Sequence, residues 1–234
     1  EEWFVLIHID IEAKAGPGLV GLVQAHNAAR DNMPDDVLQG LHALAAAQEA
    51  MRETLLRMPE RCDPYIYYSR VRPYIHGWKN SPSLPQGVVY EGVAGYAERP
   101  QQFRGETGSQ SSIVPALDAG LGIPHADDPL TQYLVEMRDY MPPRHRTFLA
   151  ALEARTDEQH RPLLYGYARD RKATHPDLWK AFCTCVDLLA QFRDIHIGYA
   201  ERYIFQQHQS HASNPTAVGT GGTPVVRAAM QSGK

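Results

Sequence analysis

The chain has 234 residues and a formal net charge of −4, from 23 basic and 27 acidic side chains. This length suffices for one large domain with a sizeable core, and the lack of a basic excess argues against a nucleic-acid partner. No apolar run approaches the roughly 20 residues that a bilayer span requires, so a membrane partner is not expected.

The cysteine content favours a reducing, cytoplasmic setting. Cys62, Cys183 and Cys185 are too few for a disulfide framework and lack the spacing of a zinc site. The first residues show neither the positive flank nor the cleavage site of a signal peptide. Because the sequence opens directly on an apolar segment, we expect it to be the body of a longer protein.

Helical periodicity dominates the first 75 residues. Residues 1–29 predict a buried helix that breaks or kinks at Gly16–Pro17, since proline cannot donate to the helical ladder. Residues 33–58 predict a second helix, with a proline and two aspartates at its start and one apolar stripe. Residues 63–75 predict a shorter aromatic helix that Pro73 perturbs near its end.

The remainder of the chain combines a long loop with further helices. Residues 76–110 are rich in glycine, proline, serine and polar side chains, and a loop of this length suggests function. Helix starts are predicted at Ser111 or Ser112, at Asp128, near Pro143 and at Pro176. The predicted fold is all-α, with a multi-helix domain over 1–206 and a mobile polar tail over 207–234.

A histidine interrupts the apolar stripe of the last helix. Phe182, Leu189, His196 and Tyr203 are spaced seven apart and share one face, so burial of the imidazole is expected. Such a histidine is often a hydrogen-bonded core residue. Arg193 lies one turn earlier, where it is placed to meet an anionic group. A haem offers an iron for an imidazole and propionates for a guanidinium, so the pair is also a candidate haem site. Without a C-x-x-C-H motif, the haem would be non-covalent.

Two further side chains are candidates for chemistry. His8 shares a helical face with Phe4 and Ile11, and is either a second haem-pocket histidine or a satisfied core residue. Arg72 follows Tyr68 by one turn, and an aromatic wall beside a guanidinium suits an aromatic α-amino acid. The alternative is a surface arginine next to packed tyrosines.

The remaining polar motifs are weaker. Neither 104–112 (RGETGSQSS) nor 219–223 (GTGGT) has the context of a nucleotide loop. Both are interpreted as flexible linkers or as loops that close over a ligand. His208 and His211 lie in the polar tail and are interpreted as incidental.

Taken together, these stretches resemble the catalytic domain of the indoleamine 2,3-dioxygenase family, haem enzymes that open the indole ring of tryptophan. The resemblance covers nearly the whole chain, and a bacterial-type member or fragment with a distal histidine fits best. Its most specific motifs are, in chain order, GWKNSP, YEGV, GSQSS, LDAGLGIPHA, MRDYMPPRHRTFL, FRDIHIGYAERYI and GTGGT.

The resemblance implies an all-helical domain that binds haem b non-covalently, with His196 as the proximal iron ligand. It also implies that Arg193, paired with Asp118, lies near a haem propionate. Dioxygen would be the co-substrate, L-tryptophan or a related indole the substrate, and N-formyl-kynurenine the product. The implied context is the kynurenine pathway of tryptophan catabolism.

The resemblance also assigns the substrate pocket. The implied positions are the carboxylate clamp Arg72, the indole wall Tyr67 and Tyr68, the ammonium loop Thr107 and Gly108, and the closing-loop residue Thr220. Relatives commonly carry phenylalanines where the two tyrosines stand.

Two departures from the family pattern leave alternatives open. Animal members carry a serine where His8 stands, and a distal histidine there resembles the related tryptophan 2,3-dioxygenases. An enzyme that inserts one oxygen atom or rearranges a tryptophan derivative is therefore one alternative, and a non-catalytic haem-binding or sensor domain is another. The family's smaller N-terminal helical domain is missing from this sequence and is an expected partner; the oligomeric state stays open.

Overall fold

The computed structural model describes residues 1–210, and this part of the chain folds into α-helices joined by short helical turns and one long loop. In chain order the helices are α1 (Glu2–Arg30), α2 (Pro34–Leu56), α3 (Met58–Arg61), α4 (Pro64–Ile66), α5 (Arg72–Ile75), α6 (Ile113–Leu121), α7 (Pro129–Met137), α8 (Pro143–Glu153), α9 (Leu163–Asp170), α10 (Pro176–Ala200) and α11 (Gln206–Ser210). Two π-helical segments, Tyr67–Val71 and Glu201–Phe205, and three 3₁₀ turns, Ala94–Tyr96, Gly108–Gln110 and Arg138–Tyr140, complete the list.

The predicted all-α class is confirmed. Residues 1–210 contain no β-strand, and β-type pairing is limited there to isolated antiparallel bridges such as Gly77 with Arg104. None of the helices in this range combines the length and the apolarity that a membrane crossing demands. The predicted starts of α6, α7, α8 and α10 also agree with the structure: Asp128, for example, caps α7 by accepting a hydrogen bond from the Thr131 amide.

The helices α1 and α2 pack against each other, and α10 also packs against α2. A Cβ atom built on Gly21 would lie 2.7 Å from the Gly40 carbonyl oxygen, and one built on Gly40 would lie 2.6 Å from the Gly21 oxygen. The two backbones therefore touch at a point where only glycine fits. Of the break or kink predicted at Gly16–Pro17, the break is wrong, because the helix runs from Glu2 to Arg30. A proline removes one ladder hydrogen bond, and the helix continues in spite of that loss.

Two other predictions of local structure need correction. The aromatic helix expected over 63–75 is divided into α4, a π-helical segment and α5, and the Arg72 amide donates to the Tyr67 carbonyl five residues earlier. The proline that follows has no amide proton with which to continue the ladder. The eight-residue helix α9 was not predicted, because so short a segment has little periodicity to detect.

A buried histidine joins α1 to α6. His26 is 1% exposed, and its Nε2 donates to the Gly120 carbonyl oxygen at 3.0 Å. The absence of a side chain on Gly120 allows this approach, since a Cβ there would lie 2.6 Å from Leu22. Burial lowers the pKa of His26 to about 4, while the hydrogen bond to Gly120 opposes the shift. The imidazole is therefore neutral in the folded protein at neutral pH.

We expect His26 to make the fold acid-sensitive. Between its folded pKa of about 4 and its unfolded value of 6.5, only the unfolded chain binds the extra proton, so stability falls as the pH falls through that window. The loss should be about 1.4 kcal/mol per pH unit. Urea unfolding of the wild type and His26→Gln at pH 7, 5.5 and 4.5 measures it. The exposed His42→Gln is the control, and equal slopes in all three proteins would refute the prediction.

Candidate functional site

The proposed iron ligand His196 lies on α10. Residues of the same helix face, before and after His196 in the chain, lie in the core. Leu189 and Tyr203 are buried, as predicted, but the predicted burial of His196 is wrong: the residue is exposed. Desolvation by the surrounding protein nevertheless lowers the pKa of His196, and the neighbouring His8 lowers it further. The side chain of His196 makes no hydrogen bond to any other residue in 1–210.

The second histidine, His8 on α1, is a neighbour of His196. His8 is half-buried, and its Nδ1 lies 2.7 Å from the Phe4 carbonyl oxygen one turn earlier. Because a carbonyl oxygen only accepts, Nδ1 carries the proton and Nε2 is left with a lone pair. His8 therefore offers a hydrogen-bond acceptor, and the Phe4 ring fixes its plane at a centroid distance of 4.4 Å.

The predicted pairing of Arg193 with Asp118 is present. Arg193 Nη2 donates to both carboxylate oxygens of Asp118, at 2.6 and 2.5 Å, which links α10 to α6. His125 also approaches the carboxylate, with Nε2 at 3.2 Å. Within the described range, Nε and Nη1 of Arg193 form no further bond, so the guanidinium keeps donors for a second anion.

Tyr67 packs between an aromatic ring of α1 and one that follows α10. Its ring lies 5.0 Å from Phe4 on α1 and 5.8 Å from Tyr203, which follows α10. The Tyr203 hydroxyl donates to the Cys62 carbonyl oxygen at 2.7 Å. Tyr67 and Tyr203 belong to the two π-helical segments, so both departures from α-helical geometry meet at this wall. Such segments often occur at functional sites.

Arg72 is fully buried, with 0% of its surface exposed, so the alternative of a surface arginine is excluded. Its guanidinium carbon lies 5.4 Å from the centre of the Tyr68 ring, as the spacing of four predicted. Desolvation lowers the pKa of Arg72, whereas the two adjacent tyrosines raise it. The Tyr68 hydroxyl lies 3.0 Å from His208 Nδ1. His208 is therefore not incidental, and α11 extends to Ser210, beyond the predicted domain end at 206.

The predicted ammonium loop lies next to the short helix that carries Arg72. A Cβ atom built on Gly105 would lie 2.0 Å from the Ile75 carbonyl oxygen, so the two segments are in backbone contact. Thr107 is half-buried, and its Oγ1 accepts a hydrogen bond from the Ser109 amide at 3.3 Å. Gly108 is exposed, with open space around its Cα.

Two predicted residues lie outside the part of the chain that the structure describes, and three residues near the site were not predicted from the sequence. Thr220 and His211 are outside the described residues. His125 was missed, because it follows the end of α6 and belongs to no periodic pattern. The role of His208 was missed as well, because periodicity does not reveal that it meets Tyr68 across 140 residues of chain. Glu136, which binds two cations at the base of the long loop, was missed for the same reason.

The donor set of these residues fits a haem. Residues 1–210 contain no cluster of three or more histidine, cysteine or acidic side chains that would hold a metal ion alone. A haem iron needs only an axial imidazole from the protein, together with cations for its propionates. His196 would supply the first, and Arg193, held by Asp118, would supply the second.

The comparisons with known proteins agree with this chemistry. The model of the family "Indoleamine 2,3-dioxygenase" matches residues 1–231. Indoleamine 2,3-dioxygenase 2 from Mus musculus is 36% identical over 95% of this chain and 54% of its own length. Indoleamine 2,3-dioxygenase 1 from Rattus norvegicus is 33% identical over 97% and 56%, and the Saccharomyces cerevisiae enzyme is 33% identical over 92% and 48%. The chain thus spans about half the length of these relatives. It belongs to the indoleamine 2,3-dioxygenase family.

Proposed function

We propose that the protein is a haem-dependent dioxygenase that opens the indole ring of L-tryptophan, or of a related indole, to give N-formyl-kynurenine. The observation that carries the proposal is the pair of neighbouring histidines, His8 on α1 and His196 on α10. Residues 1–206, with the loop 76–110, would form the catalytic domain, and residues 207–234 would carry the closing loop with Thr220. Three free cysteines support a cytoplasmic setting.

In this proposal His196 holds the haem b iron and Arg193 meets a propionate while Asp118 fixes its orientation. The haem, when bound, supplies the iron chemistry that activates dioxygen. The remaining work of the chain is to orient the substrate, which is a large part of enzymatic acceleration.

The substrate-binding residues would each contact a different group of the amino acid. Arg72, desolvated and therefore strongly attractive to an anion, would hold the carboxylate. Tyr67 and Tyr68 would line the indole, and the segment with Thr107 and Gly108 would lie at the ammonium. Nε2 of His8, which has its lone pair available, would accept the hydrogen bond of the indole N–H.

One alternative of the same class rests on His8. A histidine on the distal side also suits an enzyme that inserts a single oxygen atom or rearranges a tryptophan derivative. A non-catalytic haem sensor is an alternative of another class, and the buried Arg72 argues against it, because a sensor has no need to desolvate a cation beside an aromatic wall.

The test is an absorption spectrum of the haem-loaded protein, with and without dithionite and L-tryptophan, followed by turnover under labelled dioxygen. We expect a Soret band that responds to reduction and to L-tryptophan, and N-formyl-kynurenine with two labelled oxygen atoms. One labelled atom in the product would favour the mono-oxygenase. A haem-loaded, full-length protein without turnover would favour the sensor.

We expect His8 to discriminate against 1-methyl-tryptophan, which has no indole N–H to donate. An imidazole lone pair left without a partner in a closed pocket costs about 1–3 kcal/mol. His8→Ser should remove most of this discrimination and leave haem binding intact. His8→Ala should lower turnover about ten- to a hundredfold at most, because a positioning contact is lost.

Kinetics of the wild type and both His8 variants on tryptophan and 1-methyl-tryptophan measure the effect. Equal discrimination in all three proteins would return His8 to a core role. Complete loss of turnover in His8→Ala, with the haem retained, would make it an obligatory acid–base group instead.

A further inference from the structure

The long loop after α5 is closed at its base by backbone contacts. The amides of Trp78 and Lys79 donate to the Phe103 carbonyl oxygen at 3.1 and 2.9 Å. A Cβ atom built on Gly77 would lie 2.1 Å from the Gly105 amide nitrogen, so the two ends of the loop lie side by side. Residues 77–104 therefore form a loop whose two ends are adjacent where they join the helical domain.

The interior of this loop has a small aromatic core. Tyr90 lies 5.6 Å from Tyr96 and 5.8 Å from Phe103, measured between ring centroids, and 6.3 Å from Trp78. Aromatic pairs at such distances stabilise by more than their buried area. The loop is thus held together internally, and its orientation depends on how its base is fixed.

One carboxylate from α7 fixes both sides of that base. Glu136 Oε1 accepts from Lys79 Nζ at 2.5 Å and from Arg104 Nε at 3.0 Å, and Glu136 Oε2 accepts from Arg104 Nη2 at 2.6 Å. The Arg104 side chain is only 11% exposed, and it also lies over the Tyr133 ring at 5.2 Å. The hydrogen bonds from Arg104, foremost among the causes, and from Lys79 lower the pKa of Glu136 to about 2.

The fixed base leads directly into the segment that packs on the helix carrying Arg72. Gly105 follows Arg104, packs on the Ile75 carbonyl oxygen, and accepts a hydrogen bond from Gln110 Nε2 at 2.9 Å. Thr107 lies three residues after Arg104. A shift at the base is therefore transmitted to Thr107 through a short, internally bonded segment.

We infer that Glu136 is a positioning residue for substrate binding: by pairing with Lys79 and Arg104 it fixes the segment 105–110 against the helix that carries Arg72. This inference rests on the proposed function, because the ligand is taken to be L-tryptophan. Glu136 itself acts only through the two cations, and its contribution concerns affinity and not the chemical step.

The test uses the haem-loaded full chain and the variant Glu136→Gln, which keeps the size of the side chain and loses its charge. We expect the Kd for L-tryptophan, measured by calorimetry, to rise about tenfold, which corresponds to about 1.4 kcal/mol. We expect kcat to stay within about twofold and the Soret band to be unchanged. Hydrogen exchange of residues 77–79 and 101–110 should accelerate, and Glu136→Asp should restore part of the affinity.

The matched control is Glu153→Gln, which removes an ion pair of similar geometry between Glu153 and Arg138, with Nη2–Oε1 at 2.5 Å, in which neither Lys79 nor Arg104 takes part. It should change neither the Kd nor the exchange of the loop. Unchanged exchange in Glu136→Gln, or faster exchange with an unchanged Kd, would overturn the inference. A wild type that binds L-tryptophan without turnover would overturn the proposed function alone, and a wild type that binds none would overturn both.

Discussion

His196→Ala is expected to lose stable haem and, with it, dioxygenase activity, to below about 1% of the wild type, a loss of about 3 kcal/mol. The variant removes the axial imidazole that we assign to the iron. It should not unfold the chain, because His196 is exposed and its side chain forms no hydrogen bond to another residue in 1–210. Its stability without haem should therefore stay within about 0.5 kcal/mol of the wild type.

The measurement is the ratio of Soret to protein absorbance after haem reconstitution, together with turnover. His42→Ala, at an exposed position of α2, controls for nonspecific effects and should retain both. His8 is the neighbouring histidine and therefore the competing ligand. A normal Soret band with full activity in His196→Ala would remove the assignment. Haem that survives in His196→Ala and disappears when His8 is also replaced would transfer the ligand role to His8.

The fold could be predicted from the sequence for helices that bury a single apolar face in the core. Val37, Leu41 and Leu44 are 0% exposed, as their spacing on α2 indicates. The continuity of α1 through Pro17 could not be predicted in this way, because a proline cannot donate to the helical ladder and so predicts a break or kink. The two π-helical segments could not be predicted either, because periodicity does not reveal the contacts between distant residues, such as that of Tyr67 with Tyr203, that these segments make.

The site was predictable only in part. The spacing of Tyr68 and Arg72 predicts their contact, because both lie on one helical segment. The pairing of Arg193 with Asp118 joins residues 75 positions apart, and only the family resemblance suggested it. The exposure of His196 contradicts its apolar stripe, because a periodic pattern cannot show whether every position of an apolar face is covered by the rest of the protein.

Arg72→Leu is expected to raise the KM for L-tryptophan about ten- to a hundredfold, because a charge-assisted bidentate contact contributes about 1.5–3 kcal/mol. The fold should tolerate the change. Arg72 is fully buried, and burying a charge costs free energy, so an apolar side chain at this position removes that cost. Steady-state kinetics, with the urea midpoint as a check on folding, measure both effects.

The decisive comparison is between two variants and two substrates. Arg72→Lys should not fully restore the KM, since an ammonium lacks the planar fork that matches a carboxylate and loses part of the stacking on Tyr68, whose ring lies 5.4 Å from the Arg72 guanidinium carbon. Tryptamine has no carboxylate, so its KM should be nearly the same in the wild type and in both variants. If the KM for tryptamine rises as much as the KM for L-tryptophan, Arg72 supports the shape of the pocket and does not hold the carboxylate. If L-tryptophan alone is affected, the contribution of Arg72 is the carboxylate contact itself, because shape and haem binding are common to both substrates.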